Sequence, residues 1–265
     1  MTVAVGSCTS VGRTRTSNQD WLGYFGASDD GPAKGRLFIL ADGMGGEAGG
    51  EVASRLAVDV IAKAYFEHPS EEPPAALERS VMVANQAIHA QAAAAADLRG
   101  MGTTCTALVL RGSRAWIAHV GDSRAYRIRD GSVEQLTSDH SLAHRGAAYA
   151  HILTRALGVQ PDVEVDLIPV STGLRAGDVF LLCSDGLWGQ VSDADIAAIV
   201  AADSDLQVAS QRLVDAANMR GGPDNISVIV ARVAGMEDES WARALGGRID
   251  RAWSHWVRRR HTPKA

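Results

Sequence analysis

The chain divides into two kinds of hydrophobic pattern. Short continuous apolar runs occur at 37–41, 104–110, 115–120 and 179–183, with two more at 126–129 and 226–233; each is bounded by Gly, Asp or Ser. Runs of this length and composition predict buried strands. Gly112-Ser113 separates two of them, and Asp130-Gly131 follows another. Both are two-residue hairpin links, so the strands read as antiparallel. The second pattern is helical. Val52, Leu56, Val60 and Ala64 recur every four residues, and Leu77, Val81, Ala84 and Ile88 share one helical face. Pro73-Pro74 is placed to start the second helix, and the alanines at 92–96 extend it. A later pair spans 192–201 and 206–218, with Ser192 as a cap. Helix pairs set between antiparallel strands predict an α+β layered domain and not a repeating βαβ unit.

Composition narrows the class without choosing a function. The 265 residues, 46% apolar and 22% charged, make one large domain or two small ones with an ordinary core. A net charge of −5 gives no global attraction to nucleic acid or anionic lipid. No apolar stretch approaches the ~20 residues of a transmembrane helix. Ala4 to Cys8 has a faint likeness to a lipoprotein cleavage site, but neither a basic leader nor an apolar stretch precedes it. Cys8, Cys105 and Cys183 are odd in number and widely spaced, which reads as reduced thiols in a cytoplasmic protein. Composition changes after Gly235. Residues 236–265 form a separate tail with seven basic and four acidic residues. Trp241, Leu245, Ile249, Trp253 and Trp256 lie there at helical spacing, interrupted by Gly246-Gly247. The tail reads as an amphipathic helix that docks on the domain or binds a partner.

The aspartates carry the chemistry. Asp42, Asp122 and Asp185 each end an apolar run, Asp224 opens one, and Asp20 stands in Arg15-Thr-Ser-Asn-Gln-Asp20. An Asp beside Gly starts turns very often, yet here the arrangement repeats at strand after strand. Carboxylates gathered at one rim repel unless cations neutralise them. With no Cys or His among them, the donor set suits hard divalent ions.

These residues fall into a known order. Arg15-x-x-Asn18-Gln-Asp20, Asp42-Gly-Met-Gly-Gly46, Gly102-Thr-Thr104, Gly121-Asp-Ser-Arg124, Leu136-Thr-x-Asp139-His140, Cys183-Ser-Asp-Gly186 and Gly222-Pro-Asp-Asn225 resemble the motif series of the PP2C (PPM) protein serine/threonine phosphatases in their compact bacterial form. The resemblance covers about residues 5–233. It implies a four-layer αββα sandwich of two antiparallel sheets flanked by helix pairs, over a domain at 1–235. It also implies hydrolysis of phosphoserine or phosphothreonine on proteins by a metal-activated water, opposing a bacterial Ser/Thr kinase. Two Mn²⁺ or Mg²⁺ ions are implied, bridged by Asp42. The Gly43 carbonyl would help hold the second ion, and Asp185 and Asp224 the first. Asp20 would orient the waters on the metals, and Asp122 with Asp185 matches a weaker third site. Arg15 matches the residue that holds the substrate phosphate, for which a guanidinium fork is suited.

Three positions depart from the pattern: Gln19 stands where Glu is frequent, Met44 where animal members have a His proposed as general acid, and Glu47 where many bacterial members have His. Protonation of the leaving group must then come from a water or another group. The stretch 141–161 matches the family's variable flap. Other readings remain beside this one. Gly43-x-Gly45-x-x-Ala48 formally fits a dinucleotide fingerprint, but no βαβ series follows. His140, His144 and His151 have helical spacing and would suit zinc only with a fourth ligand. A catalytically silent phosphoprotein-binding module of the same fold is the remaining alternative.

Overall fold

The computed structural model describes residues 1–26, 34–46, 49–68, 70–142 and 152–235. In chain order its elements are β1 (Thr2–Ser10), β2 (Asp20–Phe25), β3 (Arg36–Met44), α1 (Gly49–Glu67), α2 (Pro73–Ala94) and a 3₁₀ turn (Ala96–Leu98). There follow β4 (Gly102–Thr103), β5 (Cys105–Arg111), β6 (Arg114–Val120), β7 (Arg124–Arg129), β8 (Ser132–Gln135) and β9 (Asp166–Pro169). The last are β10 (Val179–Cys183), α3 (Asp185–Trp188), α4 (Asp193–Ala202), α5 (Leu206–Met219) and β11 (Ile226–Gly235). One sheet has the order β1-β11-β10-β7-β8 and the other β2-β3-β5-β6-β9, with β4 added beside β3. Every strand pairing is antiparallel.

Side-chain alternation builds the layers. Phe38 and Leu40 of β3 face the other sheet, where they join Leu108, Ile117, Phe180, Leu182, Ile229 and Ala231. The intervening Leu37, Ile39 and Ala41 face α1 and α2. On the second sheet, Leu181, Cys183, Val228 and Val230 face α4 and α5, where Ile196, Leu213 and Val214 meet them. Three apolar clusters therefore fill the three interfaces of a helix–sheet–sheet–helix sandwich. This explains why the strands read as unbroken apolar runs: both faces of each sheet are covered, whereas a half-exposed antiparallel sheet would alternate.

The six runs predicted as strands are the six central strands, β3, β5, β6, β7, β10 and β11. The strands the pattern misses are edges: β1 and β8 of one sheet, β2 and β9 of the other. An edge strand is polar or interrupted on one side, so its signal is weak; β9, Asp-Leu-Ile-Pro, ends in a proline. Both predicted hairpins form. Arg111 pairs with Arg114 and Arg129 with Ser132. Asp130 and Gly131 both take positive φ, as a primed turn requires.

The helices match in position and differ in detail. Leu77, Val81, Ala84 and Ile88 are all fully buried. On α1, however, Val52, Leu56 and Val60 are only partly buried, and the fully covered stripe is Ala53, Ala57, Ile61 and Tyr65. Ala53 and Ala57 carry little hydrophobic signal in the sequence, yet their small size lets α1 pack closely against the sheet. Pro73 opens α2, and Ser192 Oγ accepts from Asp195 N at 3.3 Å to cap α4. The fingerprint-like loop at Gly43 follows a strand with antiparallel neighbours on both sides, so no dinucleotide-binding unit is built there. The cysteines are free, with Cys105 and Cys183 buried. Among the described residues no helix is long and apolar enough to cross a membrane. Residues 236–265, including the tryptophan stripe, lie outside the described residues.

The inter-sheet core sets a stability test. Phe180 has no exposed surface and sits between the two sheets. Phe180→Ala is expected to lower unfolding free energy by about 3–5 kcal/mol in urea titration. A loss below about 1 kcal/mol would contradict this placement.

Candidate metal centre

The two sheets open at one edge, and there the strand ends bring the predicted acids together. Asp42, Gly43, Asp122, Asp185, Asp224 and Arg15 line a single pocket. Asp20 stands directly across from Asp42 in the β2–β3 register. Like charges directly opposite on neighbouring strands are destabilising, so the sheet carries this pair at a cost.

Backbone geometry fixes each acid. Asp42 N donates to Thr104 Oγ1 at 2.9 Å, while its carbonyl accepts from Thr104 N at 2.8 Å and Thr103 Oγ1 at 2.9 Å. Only glycine fits next: a Cβ on Gly43 would stand 2.0 Å from the Gly50 carbonyl oxygen. Asp20 is buried; one carboxylate oxygen accepts from Ser184 Oγ at 2.8 Å, and the other, Oδ1, is buried without a hydrogen-bond partner. Ser184 Oγ in turn accepts from Ser227 N at 3.0 Å, tying Asp20 to β11. Asp122 follows Gly121, whose φ of +110° turns the chain at the end of β6. Asp185 begins the short α3, and Trp188 of that turn donates from Nε1 to the Asp122 carbonyl at 3.0 Å.

The loop bearing Arg15 is tied down by Asn225. Asn225 Nδ2 donates to the carbonyls of Val11 and Ser17, each at 2.9 Å, and its Oδ1 accepts from Gln19 N at 2.8 Å. Arg15 Nη2 donates to Asp224 Oδ2 at 2.7 Å. Its side chain is 53% exposed, so the remaining guanidinium donors can meet a ligand from the pocket side. Ser184, Thr104 and Asn225 were not singled out from the sequence. Their motifs, Cys183-Ser-Asp-Gly186, Gly102-Thr-Thr104 and Gly222-Pro-Asp-Asn225, contained them, but only the hydrogen bonds reveal what they hold.

Arg15 compensates the charges only in part, through Asp224. Burial, together with repulsion from Asp20, Asp185, Asp122 and Asp224, pushes Asp42 well above the carboxylate range. Burial also raises Asp20 and Asp122 to about 6, and Asp185, with Asp122, Asp224 and Asp20 adding to the effect, to about 7. A site in which several acids resist ionisation together is short of positive charge. The all-oxygen donors and the partnerless Asp20 Oδ1 fit hard divalent ions. Among the described residues no three His, Cys, Asp or Glu side chains are already gathered to hold an ion alone.

Residues from other motifs buttress the rim. Arg124 makes a two-point pair with Asp139, through Nε to Oδ1 at 2.9 Å and Nη2 to Oδ2 at 2.7 Å, and lies 3.7 Å from the Trp188 ring centre. His140 accepts at Nδ1 from Gly121 N at 3.2 Å and reaches Asp166 Oδ2 from Nε2 at 3.0 Å. Its ring is thereby engaged at both nitrogens. His144 and His151, its partners in the zinc reading, lie outside the described residues, as does Glu47. Gln19 Nε2 donates to the Gly46 carbonyl at 2.8 Å.

Comparison with known proteins shows what this sandwich with acids at one edge resembles. Residues 9–217 match the family described as protein phosphatase 2C. The serine/threonine phosphatase stp of Listeria innocua is 38% identical over 239 residues, covering 84% of this chain and 92% of its own length. The serine/threonine protein phosphatase PstP of Mycobacterium tuberculosis is 38% identical over 251 residues, covering 90% of this chain. This chain spans 46% of that mycobacterial relative's length. A crystal structure of the catalytic domain of PstP in complex with two manganese ions superposes with a TM-score of 0.77 at 38% identity, covering 88% of this chain and 99% of that one. The chain belongs to the protein phosphatase 2C family.

The raised acids predict an unusual pH response in metal-free buffer. Between the ordinary value of 3.8 and about 7 the folded state holds a proton at Asp185 that the unfolded chain has released. Ionisation through that window therefore destabilises the fold. Asp185→Asn is expected to raise the melting temperature relative to the unmodified protein, with a gain that is small near pH 4 and grows toward pH 7. Saturating Mn²⁺ should reverse the order. A gain independent of pH would contradict the shared charge.

Proposed function

We propose that the chain hydrolyses phosphoserine and phosphothreonine on proteins, cleaving the phosphorus–oxygen ester bond with water to release inorganic phosphate and the free hydroxyl. The observation that carries this reading is the convergence of Asp42, Asp122, Asp185, Asp224 and Arg15 on one pocket. The phosphatase names of its relatives support it.

In this reading Asp42, Asp185, Asp224 and the Gly43 carbonyl would hold two Mn²⁺ or Mg²⁺ ions, Asp42 serving both. Asp122 and Asp185 would form a weaker third site. When bound, such ions lower the pKa of water, polarise a phosphoryl oxygen and neutralise charge during in-line displacement. The chain's own residues do the rest. Arg15 holds the substrate phosphate through its guanidinium fork. Asn225 keeps the Arg15 loop in place from beneath. Asp20, whose Oδ1 is buried without a hydrogen-bond partner, would orient the waters on the metals. Met44 has no proton to give, so the leaving oxygen takes its proton from a water or another group.

The partners in this reading are phosphoproteins, among them a Ser/Thr kinase and its targets, and the setting is the cytoplasm, which suits free cysteines. The phosphatase domain spans 1–235, and the basic tail at 236–265 docks on it or binds a partner.

Hydrolysis of phosphopeptides should require Mn²⁺ or Mg²⁺ and stop on chelation. Asp42→Ala removes a like charge, so it should fold while losing more than the 10- to 100-fold (roughly) typical of residues behind a metal. Arg15→Ala should act mainly on KM, raising it roughly 10- to 100-fold for the loss of a charged hydrogen bond. Metal binding with no turnover on any phosphopeptide would instead make the chain a phosphoprotein-binding module.

A further inference from the structure

The pocket is far larger than a phosphate requires. It encloses about 720 Å³, within the roughly 300–1,000 Å³ of sites that take whole small molecules. One wall is the acid cluster with Arg15. The other is built from the segment after residue 151, and its chemistry is different.

Ile152 and Val159 on that wall are 40% and 44% exposed, and both face the pocket. Met44 joins them from β3. Its Cε and the Cγ2 of Val159 lie 2.8 and 3.0 Å from the point where a Cβ on Gly102 would sit. The two side chains thus meet over a floor kept open by glycine. This apolar shelf is pinned in place. Thr103 and Leu157 exchange backbone hydrogen bonds at 3.1 and 2.8 Å. Asn85 of α2 accepts from Gly158 N at 2.8 Å and donates to the carbonyls of Gln160 and Pro161, each at 3.0 Å. Backbone bonds therefore hold large aliphatic groups in water next to the reacting site, an arrangement expected of a binding surface. The outer lip carries exposed Asp162 and Glu164. Its arginine, Arg155, is already shared between Asp166 at 2.7 Å and Glu164 at 3.1 Å. Among the described residues the lip therefore offers an acidic peptide little attraction.

We propose that Met44, Ile152 and Val159 form a subsite for a large aliphatic side chain adjacent to the phosphorylated residue. The preferred substrates are then phosphoprotein segments with Leu, Ile, Val or Met beside the phosphoresidue in place of an acidic neighbour. The occupant follows from continuity: whatever sets its phosphate against Arg15 must lay its flanking residue along the same cavity. The inference rests on the phosphatase reading above and adds the substrate class to it.

The test uses fluorescent phosphothreonine peptides that differ at one flanking position, Leu, Gly or Glu, on either side. Turnover with Mn²⁺ and binding by anisotropy are read together. The Leu peptide should exceed the Gly peptide in kcat/KM by roughly ten-fold or more, on one side of the phosphoresidue, with Glu below Gly. In Ile152→Asp and Val159→Asp, at positions exposed enough to tolerate the change, the Leu-to-Gly ratio should fall to about one. Equal kcat/KM and affinity across the series, or a ratio that survives both substitutions, would overturn the subsite. Tighter binding of the Leu peptide without turnover would uphold the subsite and contradict the phosphatase reading. Turnover without a Leu preference would do the reverse.

Discussion

Repulsion among crowded carboxylates, two buried and three half-buried, is the constraint around which this molecule is arranged. Asp20 and Asp42 face each other across neighbouring strands, and Asp122, Asp185 and Asp224 arrive from three other chain segments. Among the described residues none is paired with a lysine, and Arg15 touches Asp224. A fold selected for stability alone would replace these groups or pair them. Keeping them together makes sense only if positive charge arrives from outside, and the oxygen-only donor set selects hard divalent cations to supply it.

The sandwich is what makes such a cluster sustainable. Each sheet is covered on both faces, so strand ends are held by three apolar interfaces. The rim residues inherit that rigidity. Around it runs a layer of hydroxyls and amides: Thr104 under Asp42, Ser184 between Asp20 and β11, Asn225 under the Arg15 loop. These groups fix direction without adding charge. The opposite wall of the pocket carries Ile152 and Val159 and is anchored by Asn85, so one cavity joins a charged end to an aliphatic flank.

Much of this was legible in the sequence, and the gaps have physical reasons. The central strands were visible because they are buried on both faces; the edges β1, β2, β8 and β9 were not, since half of each faces solvent or loop. On α1 the apparent stripe of Val52, Leu56 and Val60 proved to be the half-buried flank, because Ala53 and Ala57 bury completely while contributing little hydrophobicity. The acids were legible through their repeated position beside glycine at run ends, and family resemblance supplied their order. Resemblance also supplied the proposed roles, since spacing alone does not say which carboxylates meet. The supporting hydroxyls were not legible: a Ser or Thr in an apolar run looks like filler until its partner is known. Nor was the apolar shelf, in which Met44 of β3 is brought to the distant segment bearing Ile152 and Val159 only by the fold.

The central claim is that the acidic rim exists to hold a pair of hard cations. Anomalous scattering at the manganese edge from crystals grown with Mn²⁺ tests it most directly. The account predicts two strong peaks on either side of the Asp42 carboxylate, with Asp185 and Asp224 at one and the Gly43 carbonyl at the other. Peaks elsewhere on the surface, or a rim without manganese at saturating concentration, would contradict it.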